Sequence, residues 1–428
     1  MMTPDPAAAA AREALAAKHP IVMLTGRAGT GKSYFVRELV KDDAALAQVV
    51  LAPTGLAAMN IGGQTVHSFF GFPPRPLIGL QEKPNWFFTK TARAVRRIII
   101  DEVSMLRADV VDAMDQHLRA ARKSVKPFGG VQMLLVGDFY QLPPVVRNDE
   151  QGLLADAGYE SPYAFSSKAL RDLGADVHEL TEIRRQDDLE FIELLQLIRE
   201  RRRVPDAVEE LNARCYDQAP LGNAILLAAT NAVADGYNRR GLEALPTPPK
   251  VFKGGFEGEL PKSGVTNDRL PAPVDLVLKA GARVIFTQND SEGRWVNGTL
   301  GRIEGFDGDF IRVRINGMDD TVEVVKSSWP QARWVFDDKT NTMKAEETFR
   351  YVQYPLAPAW ALTIHKAQGM TIEALEVDLG RGAFAPGQTY VALSRAKNLA
   401  GLRLTRPLKP SDVQVDPEIA QGLKRLSK

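Results

Sequence analysis

The stretch Ile21-Val22-Met23-Leu24-Thr25-Gly26-Arg27-Ala28-Gly29-Thr30-Gly31-Lys32-Ser33 sets the reading of the whole chain. It opens with a short apolar run, the pattern of a strand buried on both faces of a parallel sheet. The next eight residues have the form Gly-x-x-x-x-Gly-Lys-Ser, and an amphipathic helix pattern, Ser33–Lys41, begins where they end. Strand, glycine-rich loop and helix in that order make a phosphate cradle. Glycines let successive N–H groups curl around phosphate oxygens, and the helix N-terminus adds partial positive charge. Lys32 is then placed for the β/γ oxygens and the Ser33 hydroxyl for Mg²⁺. Gly26, Ala28, Gly29, Thr30, Gly31, Lys32 and Ser33 are the expected nucleotide-binding residues.

Working outward, Ile98-Ile99-Ile100 ends on Asp101-Glu102. A buried strand that exposes an acid at its C-terminal edge brings Asp101 beside the phosphate loop, within reach of a Mg²⁺ shell. Glu102 is placed to orient or deprotonate an attacking water. Alone, such a pair reads as a solvated turn; behind a phosphate loop it points to nucleoside triphosphate hydrolysis. A third strand, Val131–Gly137, leads into Asp138-Phe139-Tyr140-Gln141-Leu142-Pro143-Pro144. Gln141 there is either a γ-phosphate sensor or part of a turn held by Asp138 and the prolines.

The first 180 residues alternate such strands with helices, adding Val49–Pro53 and Val177–Leu180. That is the grammar of an α/β unit with a covered parallel sheet. Residues 70–90, with four prolines and Trp86-Phe87-Phe88, break the rhythm as an insertion. A second alternating region runs from a helix at Leu189–Arg199 and a strand at Ala224–Ala229 to Pro355–Ile364, Ala374–Leu379 and Leu402–Thr405. Between its parts, about 282–352, period-two strands with glycine turns suggest a small inserted barrel. Residues 241–275, rich in Pro and Gly, read as loop or linker.

The composition seems to argue against a nucleic-acid partner. The 428 residues carry 54 Lys+Arg against 53 Asp+Glu, a net charge of +1. Broad non-specific charge is therefore excluded, and basic residues are expected in local groups: Lys90, Arg93, Arg96 and Arg97; Arg119, Arg122, Lys123 and Lys126; and Lys366. One cysteine, Cys215, excludes an internal disulfide. No secretory signal pattern and no membrane-length apolar run occurs, so no membrane partner and a cytoplasmic location are expected.

With these residues in view, the chain resembles superfamily-one helicases of the 5′→3′ class, and among them the PIF-type DNA helicases, cousins of the Dda and RecD-type enzymes. The resemblance covers nearly the whole chain. It rests on the phosphate loop, Ala52-Pro53-Thr54-Gly55-Leu56, Thr65-Val66-His67-Ser68-Phe69-Phe70, Ile100-Asp101-Glu102 and Gly137-Asp138-Phe139-Tyr140-Gln141. It continues through Leu180-Thr181-Glu182-Ile183-Arg184-Arg185-Gln186, Ala229-Thr230-Asn231, Val296-Asn297-Gly298-Thr299, Leu362-Thr363-Ile364-His365-Lys366-Ala367-Gln368-Gly369-Met370-Thr371 and Leu393-Ser394-Arg395. Arg122-Lys123-Ser124-Val125-Lys126-Pro127-Phe128-Gly129-Gly130 is similar to the signature of the PIF-type branch.

The resemblance implies two RecA-like P-loop domains with parallel sheets. It divides the chain into a first motor domain over 1–177, a wedge insertion over 68–95, a second motor domain over 178–281 and 354–428, and an SH3-like β insertion over 282–353. It implies ATP and Mg²⁺ as cofactors, with Lys32, Glu102, Gln141, Arg185 and Arg395 catalytic, Ser33 and Asp101 on the metal, and Arg184 an alternative to Arg185 as arginine finger. Single-stranded DNA would lie along Thr54, Asn60, His67, Phe69, Thr230, Asn231, His365, Lys366, Gln368 and Thr371. Substrates would be single strands and single/double-strand junctions, with G-quadruplexes and RNA–DNA hybrids as further possibilities, taken by a monomer that moves 5′→3′. An ATP-switched clamp without strong unwinding is the alternative. The family's glutamine before the first strand has no counterpart in residues 7–20, so the chain lacks that adenine reader.

Overall fold

The computed structural model describes residues 5–427 except 74, 81–82, 184–185, 187, 259–269, 319–320 and 338–341. Six parallel strands form the first sheet: β1 (Ile21–Gly26), β2 (Gln48–Ala52), β3 (Gln64–Thr65), β4 (Arg97–Ile100), β5 (Gln132–Val136) and β6 (Asp176–Leu180). Their order is β3-β2-β4-β5-β1-β6, so β1 lies inside the sheet between β5 and β6. Side chains alternate faces along a strand. Ile21, Met23, Val49, Leu51, Ile98, Ile100, Met133 and Leu135 accordingly fill one core, while Val22, Leu24, Val50, Ile99, Leu134 and Val136 fill another on the opposite face. That double burial is why the strands read as continuous apolar runs.

The N-terminal alanines form the helix Pro6–Ala16, capped by Asp5, whose carboxylate accepts from Ala7 N at 2.9 Å. The same carboxylate accepts from Thr181 N at 3.0 Å, tying the chain's start to the exit of β6. β6 pairs with β1 along its length, so the expected boundary at 177/178 falls inside a strand and the first unit runs through Leu180. A strand hydrogen-bonded into a sheet interior cannot act as a linker.

The second unit is a four-stranded parallel sheet in the order Ala361–Thr363, Ile225–Ala228, Leu375–Asp378, Leu402–Leu404, with the helices Leu189–Arg199 and Val204–Cys215 on its core. Cys215 is buried there. The chain does not finish in this unit. Its last helix, Glu418–Leu426, puts Ile419 and Leu426 into the core of the first unit, and Ala175 N donates to Leu426 O at 2.6 Å. The assignment of all of 354–428 to the second unit is thus corrected for this helix.

The antiparallel part runs from Lys250 to Pro358, wider than 282–353. Lys250–Lys253 and Gly255–Gly258 are strands inside the stretch expected as linker; Phe252 packs with Leu276 and Phe286. Within the stretch read as period-two strands, Arg294–Val296 lies in turn and loop structure. A long hairpin, Ser327–Asp337 against Thr342–Gln353, was not foreseen. It reaches the first unit, where Trp334 N donates to Gln64 Oε1 at 3.2 Å and its ring packs on that unit's core.

Candidate nucleotide site and nucleic-acid track

The glycine loop leaves the C-terminal edge of β1 at Gly26 and enters the helix Lys32–Asp42 at Gly31. Gly29 and Gly31 have φ of 82° and 89°, the left-handed region that glycine enters without a Cβ penalty. A Cβ on Gly26 would come within 2.9 Å of Leu180 O, so the close approach of loop and β6 also demands glycine. Lys32 folds back on its own loop: Nζ donates to Gly26 O at 2.7 Å and Arg27 O at 2.9 Å. Burial pushes its pKa down, against the pull of Asp138, Glu102 and Asp101. The charge is thus already desolvated, held by carbonyls that a phosphate would outcompete.

Asp101 and Glu102 follow β4 at the same edge. Asp101 Oδ2 accepts from Ser33 Oγ at 3.2 Å, bringing the expected metal pair together. Burial pushes the Asp101 carboxyl up, opposed by the Glu102 amide and Lys32. No cluster of three His, Cys, Asp or Glu side chains suited to a metal exists among the described residues. One hydroxyl and one carboxylate beside a phosphate loop is nevertheless a donor set that fits Mg²⁺, which takes few protein ligands and keeps phosphate oxygens and water. Glu102 sits at φ 54°, an unusual conformation that aims it out of the strand. Burial, then the Asp101 charge, pushes its carboxyl up to about 7, with Lys32 and Arg395 pulling down. A carboxyl so poised accepts a proton readily near neutral pH.

The second unit closes this edge. Ala28 N donates to Tyr390 Oη at 2.9 Å, and Ala28 and Leu142 pack in the second unit's core. Gln368 Nε2 donates to Glu102 Oε2 at 3.1 Å. Arg199 grips Asp138 with two bonds, Nη2 to Oδ1 at 2.9 Å and Nε to Oδ2 at 3.2 Å, the side chains 5% and 0% exposed. Arg199 also lies 4.4 Å over the Tyr140 ring. Gln141 is buried, its Nε2 donating to Asp138 Oδ2 at 3.4 Å, a contact within the turn that follows β5. Arg395 is buried, donating to Val391 O and Ser394 Oγ, close enough to Glu102 to stabilise its charge. Arg184 and Arg185 lie outside the described residues.

These contacts come from strands and helices far apart in sequence, and comparison with known proteins gives the family. The PIF1-like helicase model matches residues 8–210. The ATP-dependent DNA helicase Pif1 of Bdellovibrio bacteriovorus is 31% identical over 414 residues, 94% of this chain and 88% of that protein. The chain belongs to the PIF1-like helicase family. Human PIF1 is 34% identical over 413 residues, 93% of this chain, and the chain spans about 60% of that relative's length. Among solved structures, Bacteroides sp. Pif1 in complex with ADP-AlF4 superposes with a TM-score of 0.88 at 30% identity, covering 99% of this chain and 96% of that one. The same Bacteroides protein bound to ssDNA superposes at 0.70, 31% identical, over 98% and 96%. This PIF1-like chain therefore has the arrangement of the former more than of the latter.

The track residues divide. Thr54 and Thr230 occupy equivalent places in the two units, each capping the helix after a parallel strand, with Oγ1 accepting from Ala57 N at 3.2 Å and Val233 N at 3.4 Å. Asn231, His365, Lys366 and Thr371 are exposed, His67 half-buried, and Asn60 ends the helix Gly55–Asn60. One expectation is corrected. Phe69 is 7% exposed and packs edge-on against Phe70 and Phe88, so its faces are taken by the core. Gln368 is half-buried and donates to Glu102, next to Ala367, which is buried in the second core.

The basic groups divide as well. Arg97 is buried, bonded to Asp43 at 2.5 Å and to Gln132 at 2.9 Å. Arg122 caps the end of the helix Trp86–Ala94 through the carbonyls of Ala92, Arg93 and Val95, and Arg119 pairs with Asp115. Of the three insertion aromatics only Phe88 anchors it; Trp86 and Phe87 are 70% and 60% exposed. Arg199 and Tyr390 were missed, and Asp138 was read only as a turn residue. An acid after a strand and an arginine in a helix carry no pairing signal until the units meet.

Proposed function

We propose that this chain is an ATP-dependent DNA helicase that moves 5′→3′ along single-stranded DNA and opens duplex at forks. The observation that carries the reading is the cleft: a phosphate loop and an Asp-Glu pair on one unit face Arg395, Gln368 and Tyr390 of the other, in a PIF1-like chain. On this reading the RecA-like units are two motors, and grip on the strand alternates between them.

When nucleotide arrives, Lys32 leaves Gly26 O and Arg27 O for the β/γ oxygens, exchanging neutral for charged acceptors. Ser33 and Asp101 would hold Mg²⁺, which supplies charge neutralisation on those oxygens. Glu102 takes the proton of the attacking water, with Gln141 at the γ-phosphate. Arg395, and Arg185 or Arg184, complete the site from the second unit. An arginine delivered across a cleft makes hydrolysis depend on closure, which couples chemistry to one step of movement. Thr54, His67, Thr230, Asn231, His365, Lys366 and Thr371 hold phosphates rather than base edges, so binding is largely independent of sequence. Trp86 and Phe87, exposed on the helix Trp86–Ala94, would meet the end of the duplex. ATP is the expected triphosphate; forks, G-quadruplexes and RNA–DNA hybrids are the expected substrates, and a monomer the expected working unit.

Strand displacement on 5′-tailed and 3′-tailed forks tests this directly. Unwinding with ATP of the 5′-tailed fork alone is the expected result. Opening only the 3′-tailed fork would reverse the polarity, and ATP hydrolysis unaffected by single-stranded DNA would favour an ATP-switched clamp over a motor.

A further inference from the structure

The turn Thr363–Met370 leaves the end of the strand Ala361–Thr363 and presents two faces. His365 and Lys366 are exposed on one; Gln368 reaches Glu102 on the other, its Nε2 3.1 Å from Oε2. The turn between them is stiff. Ala367 N bonds Thr363 O at 3.0 Å, Gln368 N bonds His365 O at 3.2 Å, Met370 N bonds Ala367 O at 3.0 Å, and Lys366 N bonds Thr363 Oγ1 at 3.3 Å. Ala367 is fully buried in the second unit's core, so the turn pivots on it rather than bending within. A displacement of His365 and Lys366 is therefore transmitted to Gln368.

We propose that Gln368 is a positioning residue that restrains Glu102 while the track is empty and releases it when a phosphate backbone engages His365 and Lys366. The amide donor occupies one carboxylate oxygen of Glu102 and ties its rotamer to the other unit. A base so tied has one oxygen fewer for an attacking water and less freedom to follow it. The contact belongs to an arrangement that matches the ADP-AlF4 complex of the relative at 0.88 and its ssDNA complex at 0.70. The inference rests on the reading of Glu102 as the base and of His365 and Lys366 as phosphate contacts.

The test compares Gln368→Ala and Gln368→Met with the parent in steady-state ATP hydrolysis, without DNA and at saturating oligo(dT), with oligo(dT) affinity measured by fluorescence anisotropy. Met keeps the length of Gln and removes the donor without adding a charge, so it separates the hydrogen bond from side-chain volume. Both variants are expected to raise the DNA-free kcat by about tenfold, the low end for one hydrogen bond to a charged group. The kcat with oligo(dT) and the KM for ATP are expected to stay within about twofold, so stimulation by DNA shrinks from below. An unchanged DNA-free rate with weakened oligo(dT) binding would return Gln368 to the track and sink the proposal. A parallel fall of both rates would also sink it, because the amide would then support catalysis. Glu102→Gln, alone and with Gln368→Ala, keeps the two failures apart: hydrolysis that survives Glu102→Gln overturns the assignment of the base, whatever Gln368 does.

Discussion

The two α/β units have the same plan but differ in self-sufficiency. The first has six strands and a separate apolar core on each face, assembled mainly from its own residues and closed by the returning C-terminal helix. The second has four strands, and its main core takes in Ala28 and Leu142 of the first. The nucleotide edge is therefore rigid on one side and docked on the other. Polar links cross the seam at Tyr390–Ala28, Gln368–Glu102 and Arg199–Asp138, each ending on or beside a residue of the phosphate edge. The apolar part tolerates sliding, while the buried ion pair does not, since separating it in a dry interior leaves two uncompensated charges.

The hardest challenge to this contrast is Lys32→Ala. Hydrolysis is expected to fall by about 10²–10³-fold or more, the usual result of removing a preorganised donor to a developing charge. Because Lys32 is buried with its ammonium disfavoured by desolvation, the melting temperature should hold or rise. Normal turnover would remove the first unit's claim to the chemistry.

Asp138→Ala tests the seam. It leaves the Arg199 charge buried without its partner, and a loss of about 3–5 kcal/mol is expected in denaturant unfolding. Asp138→Leu with Arg199→Met should recover most of it, since apolar replacement of both charges is often neutral. A single-variant loss under about 1 kcal/mol would mean that the seam rests on its apolar contacts.

The smallest effect belongs to the hairpin. Gln64→Ala removes the acceptor of the Trp334 amide, a contribution of about 0.5–1.5 kcal/mol. Hydrogen exchange at Trp334 should quicken by about threefold to tenfold, with hydrolysis unchanged. Unaltered exchange would show that Trp334 is held by its ring alone.

Legibility follows the same division. The loop Gly26–Ser33 and the pair Asp101-Glu102 are readable because each is a local device: a continuous strand, a turn that only certain residues enter, and a helix or carboxylate at its end. The helix Leu189–Arg199 is readable for the same reason, its apolar period being complete within it. The hairpin Ser327–Gln353 escapes because Pro330 and a row of charged residues break the alternation by which a strand is read. Phe69 and Gln368 were placed on the track by their neighbours; one proves to be core and the other points across the seam. Arg97, counted in a local basic group, is instead buried and paired with Asp43.

Sequence alone determined that two strand–helix regions exist, that the first ends its strands in a phosphate loop and an acidic pair, and that a β insertion interrupts the second. Those properties depend on backbone propensity, side-chain period and glycine conformation, which act over a few residues. Only the tertiary structure decided that β6 and the final helix belong to the first unit, that Arg199 answers Asp138, and that Gln368 answers Glu102. Each of these pairs residues from 61 to 266 positions apart. Their meeting depends on how two cores dock, a sum over many weak apolar contacts that no local pattern records.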